Sequence, residues 1–230
     1  MLRSNFYKKM HLALIIDGNR RWAKKRFMPR AFGHKRGVEN LEKIIKITAK
    51  RGDIDYLSVF TLSTENMQRE EAELENLFTL IEEFARKKNE FIERNIKVKP
   101  IGDLEKLPLS CLMALRELEE ATSNCTGMIF APAINYGGQD DLRRAFGKLM
   151  LENKLNPSMQ DIKNAMDTHF MPQIDLLIRT GGKKRVSNFM MWDLAYSEIY
   201  FSDKMWPSFD EGNLNNAMEF FAEQKRTFGK

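Results

Sequence analysis

The chain has 230 residues, 43% hydrophobic and 30% charged, with a net charge of +5, the balance of a chain that folds around a core rather than a disordered or fibrous one. No stretch reaches the ~20 apolar residues that span a bilayer, and the short apolar run at 12–16 ends in Asp17, unlike a secretory leader. Cys111 and Cys125 are the only cysteines and form neither a CxxC pair nor a ligand cluster, which excludes a disulfide framework and points to a reducing, cytoplasmic setting.

In chain order, residues 11–17 (HLALIID) form an apolar run that stops at the turn Asp17-Gly18-Asn19 and predict a buried strand. Val38, Leu41, Ile45 and Thr48 repeat at helical spacing up to Gly52, which predicts a helix over 35–51. A second strand follows at 55–62, then a long helix over 70–94 with Leu74, Leu77, Phe78, Ile81, Phe84 and Phe91 on one face. A third strand is expected at 96–101, a helix at 109–123, and a fourth strand at 128–134 interrupted by Pro132. Asp140 and Asp141 suit the first turn of another helix. Further elements are a helix at 158–168, strands at 174–178 and 199–201, and a closing helix at 214–227. Strands alternating with helices indicate an α/β fold, one domain over 11–230 behind a tail at 1–10, with an open, mostly parallel sheet of about six strands flanked by helices.

Ligands of such sheets bind beyond the carboxyl ends of the strands. Those ends carry Asp17-Gly18-Asn19-Arg20-Arg21-Trp22, Ser63-Thr64-Glu65-Asn66 with Arg69, and Arg179-Thr180-Gly181-Gly182 followed by Arg185-Val186-Ser187. Arginine forks match phosphate oxygens, serine hydroxyls and close-approaching glycine backbone add donors, and an aspartate can share Mg²⁺ with phosphate. Residues 1–40 hold eleven Lys/Arg against two acids, so the basic charge lies beside this region. Taken singly, Asp17 reads equally well as a turn residue, the basic run as a solvated face and His34 as a helix cap. It is the convergence of three distant segments that points to a diphosphate cleft. A nucleic-acid reading of the basic third ranks last, because no aromatic stacking platform or nucleic-acid motif accompanies it.

The blocks HLALIIDGNRRWA (11–23), GHKRG (33–37), LSTEN (62–66) with Arg69, and DLLIRTGGKKRVSNFMMWDLAYSEIYF (175–201) resemble the undecaprenyl diphosphate synthases, bacterial cis-prenyltransferases. IGDLEKLP (101–108) and INYGGQDDL (134–142) are similar to further family segments, and the match runs in order from 11 to 229. The resemblance implies a homodimeric enzyme that extends farnesyl diphosphate with isopentenyl diphosphate, using Mg²⁺, to a long (Z)-polyprenyl diphosphate such as the undecaprenyl carrier of cell-wall glycans. It implies an apolar product channel and transient contact with a membrane surface. Asp17 matches the catalytic, Mg²⁺-binding aspartate, and Gly18, Asn19, Arg20, Arg21 and Trp22 the allylic-substrate loop. Arg30 and His34 match residues on the allylic diphosphate. Ser63, Thr64, Glu65, Met67 and Arg69 fall in the substrate site, and Asn66 stands at a suggested proton acceptor. Arg179, Arg185 and Ser187, with Val186 between them, match the isopentenyl diphosphate site, and Glu198 a second metal ligand near the dimer interface.

The sequence departs from the family pattern at Lys183 (commonly Glu), Met67 (commonly Trp), Glu70 (commonly Pro) and in the ending Arg226-Thr227-Phe228-Gly229. The core set is intact, which favours an active enzyme over a catalytically silent partner subunit. A short- or medium-chain synthase stays open, because channel shape sets product length.

Overall fold

The computed structural model describes residues 10–224; the N-terminal basic residues Arg3, Lys8 and Lys9, the end of the expected closing helix and the 226–229 ending lie outside them. Six strands, β1 (Met10–Ile15), β2 (Ile54–Ser63), β3 (Lys97–Val98), β4 (Ile129–Tyr136), β5 (Leu176–Arg179) and β6 (Glu198–Phe201), form one sheet in the order β3-β4-β2-β1-β5-β6. Every pairing is parallel. Eight helices cover it: α1 (Asn19–Lys24), α2 (Arg30–Arg51), α3 (Glu71–Ala85), α4 (Lys88–Glu93), α5 (Leu109–Ala121), α6 (Gly138–Leu151), α7 (Met159–Ala165) and α8 (Glu211–Glu223).

Strand periodicity separates two cores. Leu12 and Leu14 of β1, Leu57 and Val59 of β2, Phe130 of β4 and Ile178 of β5 meet Leu41, Ile44 and Ile45 of α2, Phe84 of α3 and Leu115 and Leu118 of α5. On the opposite face Ala13, Ile15, Ala131, Ala133 and Leu177 pack with Phe189, Tyr136 and Met171. Each fully buried Leu or Ile contributes about 1.5–3 kcal/mol. Burial on both faces explains why β1 and β5 read as continuous apolar runs. Cys111 and Cys125 are buried free thiols, and burial pushes the Cys111 thiol up to about 12. Among the described residues no helix is long and apolar enough to cross a membrane.

Several elements differ from the sequence reading. The helix expected at 35–51 begins at Arg30 directly after Pro29, whose backbone is already extended, so Arg30 and His34 lie inside α2 and His34 is no cap. The single helix expected at 70–94 is two, broken at Arg86–Lys87 without glycine or proline. A continuous helix would hold Phe84 and Phe91 about 10 Å apart along its axis. The break brings their rings to 5.4 Å, and both reach Phe130. The third strand shrinks to two residues plus a bridge from Ile101 to Ala133. Pro132 does not interrupt β4: its carbonyl accepts from Ile101 N–H, so its donorless nitrogen lies on the same side, beyond the two residues of β3.

Candidate active site

Because β1, β2 and β5 are parallel and in register (Ile15 with Phe60, Ile15 with Arg179), the segments that follow them open on one side of the sheet. They enclose a cleft of about 590 Å³ lined by Asp17, Asn19, His34, Ser63, Glu65, Asn66, Arg69, Arg179, Arg185, Ser187 and Asn188. The convergence expected from the sequence is therefore present.

Asp17 is held from two sides. Arg179 Nη2 donates to its Oδ2 at 3.0 Å, and Arg21 Nη2 lies 3.0 Å from its Oδ1. Its backbone oxygen accepts from Thr180 Oγ1 at 2.8 Å. Arg21 also donates to the Gly181 carbonyl at 2.7 Å. Arg179 is almost fully buried, and its other branch donates to Ser187 Oγ at 2.7 Å and to the Arg185 carbonyl. Ser187 and Asn188 take left-handed backbone (φ 50 and 62), strain of the kind that functional loops retain. Asn188 fixes that loop: its carbonyl accepts from Gly138 N–H, its Oδ1 accepts from Gln139 N–H, and its Nδ2 donates to Glu65 Oε1 at 3.1 Å. Burial works against the Glu65 carboxylate. Hydrogen bonds from its own backbone, Asn188, Ser63 and Thr64 outweigh that and hold it below the ordinary range.

A second cationic cluster surrounds Glu73, a residue the sequence reading missed. Glu73 Oε1 lies 3.0 Å from Arg69 Nη1, 3.3 Å from His34 Nε2 and 3.9 Å from Arg20 Nε, and Oε2 lies 3.7 Å from Arg30 Nη1. One nearly buried carboxylate thus serves three arginines and a histidine. The spacing Arg69–Glu73, one helical turn, is the signal that could have revealed it. Burial lowers the His34 imidazole below its ordinary value, Arg69 pushes the same way and Glu73 opposes. His34 Nε2 is close to Glu73 yet out of line for a hydrogen bond, and Asn19 Oδ1 is likewise buried without a partner. Arg179 Nε is a third such atom; buried polar atoms are seldom left unpaired, so three at one cleft are acceptor and donor positions for a ligand.

Other expected site residues make contacts within the fold. Trp22 points away from the cleft: its Nε1 donates to Ser208 Oγ at 2.7 Å, and its ring lies between Phe32 and the Arg26 guanidinium. Met67 and Val186 pack against the two apolar cores, since the turn that carries each faces inward at that position. Gly18 has φ 119, and a Cβ there would lie 2.9 Å from Met205 Cβ, so its role is a turn and a close contact. Thr64 packs against Gly137. Asn66 forms a capping box with Ser63, its Oδ1 accepting from Ser63 N–H and its N–H donating to Ser63 Oγ, which holds the 3₁₀ turn Thr64–Gln68. Glu198 opens β6 in register with Leu176, whereas Arg179 pairs with Phe201. It lies three residues, about 10 Å, back along the sheet from the cleft, so within one chain it does not join Asp17.

Among the described residues no cluster of three or more His, Cys, Asp or Glu could hold a metal alone. The donor set still fits Mg²⁺ shared between one carboxylate and substrate phosphate oxygens, and Asp17 is the residue that would hold it.

The cleft continues into a narrow apolar cavity of about 80 Å³ on the α2–α3 face of the sheet. Ile16, Asn19, His34, Thr61 and Leu77 belong to both spaces. Leu41, Leu77, Leu80, Ile81, Phe84, Leu118 and Phe130 wall it. Of the helix expected over 70–94, only α3 contributes to this wall.

An anion cleft that leads into an apolar cavity defines a protein made for an amphiphile with a charged head. The chain belongs to the cis-prenyltransferase family: the family model described as "Putative undecaprenyl diphosphate synthase" matches residues 15–229. It is 41% identical to an isoprenyl transferase of Neisseria gonorrhoeae over 96% of this chain and 89% of that one. It is 39% identical to one of Treponema denticola, over 95% and 96%. Among solved structures, lavandulyl diphosphate synthase from Lavandula x intermedia, in complex with dimethylallyl diphosphate, superposes with a TM-score of 0.92 at 32% identity over 97% of this chain and 99% of that one. A probable undecaprenyl diphosphate synthase from Campylobacter jejuni gives 0.82 at 30% identity over the same shares.

Proposed function

We propose that this transferase condenses isopentenyl diphosphate repeatedly onto farnesyl diphosphate and releases a long (Z)-polyprenyl diphosphate of the undecaprenyl type, a lipid carrier for cell-wall glycans. The observation that carries the reading is the continuity of the cationic cleft with the apolar cavity through Asn19, His34, Thr61 and Leu77. The allylic head would sit against Arg20, Arg30, His34 and Arg69, with its tail along α3. The isopentenyl head would sit against Arg179, Arg185 and Ser187, beside Asp17.

In that arrangement the guanidinium groups stabilise negative charge as the allylic carbon–oxygen bond breaks, and the two heads fix the reacting carbons in attack geometry. Mg²⁺, held by Asp17 with diphosphate oxygens, would supply further charge neutralisation on the leaving group. Asn66 is a neutral amide committed to its capping box, so it orients Ser63 and is not the base. Asp17 accepts from Arg179 and is paired with Arg21, which holds it as a carboxylate beside the diphosphates, and we assign the proton to a diphosphate oxygen of the leaving group. The protein would act as a homodimer in the cytoplasm, touching the membrane surface to deliver its product.

A short-chain product is the second reading, favoured by one observation: two bulky rings, Phe84 and Phe130, 6.0 Å apart, line the cavity. Incubation with farnesyl diphosphate, labelled isopentenyl diphosphate and Mg²⁺, followed by sizing of the extracted lipids, decides between them. Absence of extension from any allylic primer by the folded protein would overturn both.

A further inference from the structure

The turn between α1 and α2 has no role in the cleft and is built against ordinary local preferences. Phe27 sits at φ 55, in the left-handed region that glycine accepts without strain and a bulky side chain does not. Its side chain is 100% exposed and packs on nothing. An aromatic ring that strains the backbone and faces water contributes nothing to the fold. Met28 beside it is 41% exposed, and Phe32, in the first turn of α2 and stacked on Trp22, 39%.

The charge around this tip is of one sign. Between Asp17 and Glu39 there are eight Lys/Arg and no acid. Lys24, Lys25 and Arg26, which flank Phe27, are exposed. An apolar wedge ringed by cations has the complement of an anionic lipid surface, where the ring reaches the acyl boundary and the cations stay among the head groups. A folded water-facing surface has no use for that ring, and an acidic protein would need only the cations.

We propose that the Lys24–Pro29 turn docks the protein on anionic membranes, with Phe27 as the inserted side chain. Arg20 and Arg30, on either side of the turn, belong to the allylic cluster described above, so docking would set the cleft beside the surface into which a polyprenyl diphosphate partitions. The inference deepens the lipid-synthase reading and rests on it for its purpose, but not for its test.

The test is sedimentation of the full chain with vesicles of phosphatidylglycerol and phosphatidylcholine in equal parts, and with phosphatidylcholine alone, without substrate. The protein should pellet with the first, not with the second, and be released by high salt. Phe27→Gly, which suits the left-handed backbone, should keep the thermal melt and lower vesicle partition about tenfold. Lys24→Gln/Lys25→Gln should lower it by a similar factor. No partition of the parent protein, or equal partition of Phe27→Gly, would overturn the proposal. So would concentration-dependent self-association that Phe27→Gly abolishes, which would assign the turn to a second copy. Turnover of a detergent-dispersed primer, measured separately, reports on the synthase reading alone and should be unchanged in both variants.

Discussion

Arg179 donates to Asp17 at 3.0 Å across two neighbouring strands whose residues lie 162 positions apart in the chain. Arg179 is 4% exposed, so this contact matches a buried cation to the carboxylate on which the proposed chemistry depends. Asp17→Ala should lower turnover by about 10²–10³-fold, the usual loss when one charge-stabilising group is removed. It should also leave the guanidinium short of an anion, so inorganic diphosphate should raise the melting temperature of the variant more than that of the parent. Near-parental turnover would remove Asp17 from the chemistry.

Glu73 occupies the centre of the cations assigned to the allylic head. A substrate diphosphate must compete with it. Glu73→Gln should therefore bind inorganic diphosphate about tenfold more tightly by calorimetry, a change of ~1.4 kcal/mol, and release product more slowly. Weaker binding would mean that Glu73 chiefly holds the arginines in position.

The wall of the cavity makes a length series. Leu77→Phe and Ile81→Phe should shorten the products, and Leu118→Ala should lengthen them by opening space near Phe130. Sizing of labelled lipids reads the outcome; an unchanged distribution across all three would place the growing chain elsewhere.

Acid stability offers a separate check. Burial, partly opposed by the Pro172 carbonyl, lowers His11 to about 4, so the unfolded chain binds a proton that the folded one refuses between pH 6.5 and about 4. That term removes stability as the pH falls. Burial and then repulsion by Asp167 raise Asp141 to about 6, so there the folded chain binds the extra proton between pH 3.8 and about 6. That term adds stability as the pH falls. The two oppose each other between about pH 4 and 6. Asp141→Asn removes the second and should steepen acid destabilisation by up to about 1.4 kcal/mol per pH unit. Urea unfolding at a series of pH values measures it, and an unchanged slope would show that Asp141 is ionised throughout.

Much of the site was legible because its residues follow strands, and apolar runs ending in Asp17, Ser63 and Arg179 announce both strand and exit. Glu73 was not, because an acid in the first turn of an exposed-looking helix reads as dipole chemistry until the folded chain sets four basic groups around it. The packing of Trp22, Met67 and Val186 was not legible either, because neighbours in such turns point in opposite directions. The break at Arg86–Lys87 carries no local signal. It is imposed by Phe84 and Phe91 reaching the same ring of Phe130, a tertiary demand that periodicity does not encode.

Near its end β2 carries an extra residue relative to β4: Phe60 pairs with Ala133 but Leu62 with Ile134. The strand β4 then gives the residue back at Asn135, whose φ is 47, so that Ser63 meets Tyr136. Between these two irregularities Thr61 and Leu62 both line the apolar cavity, and Ser63 lines the cleft. The boundary between head and tail is thus written as a matched insertion in two strands that are remote in sequence. Deleting Thr61 alone would leave Asn135 uncompensated and turn Ser63 to the opposite face. Descendants of this chain can exchange side chains along the cavity freely, but can change length here only in both strands at once.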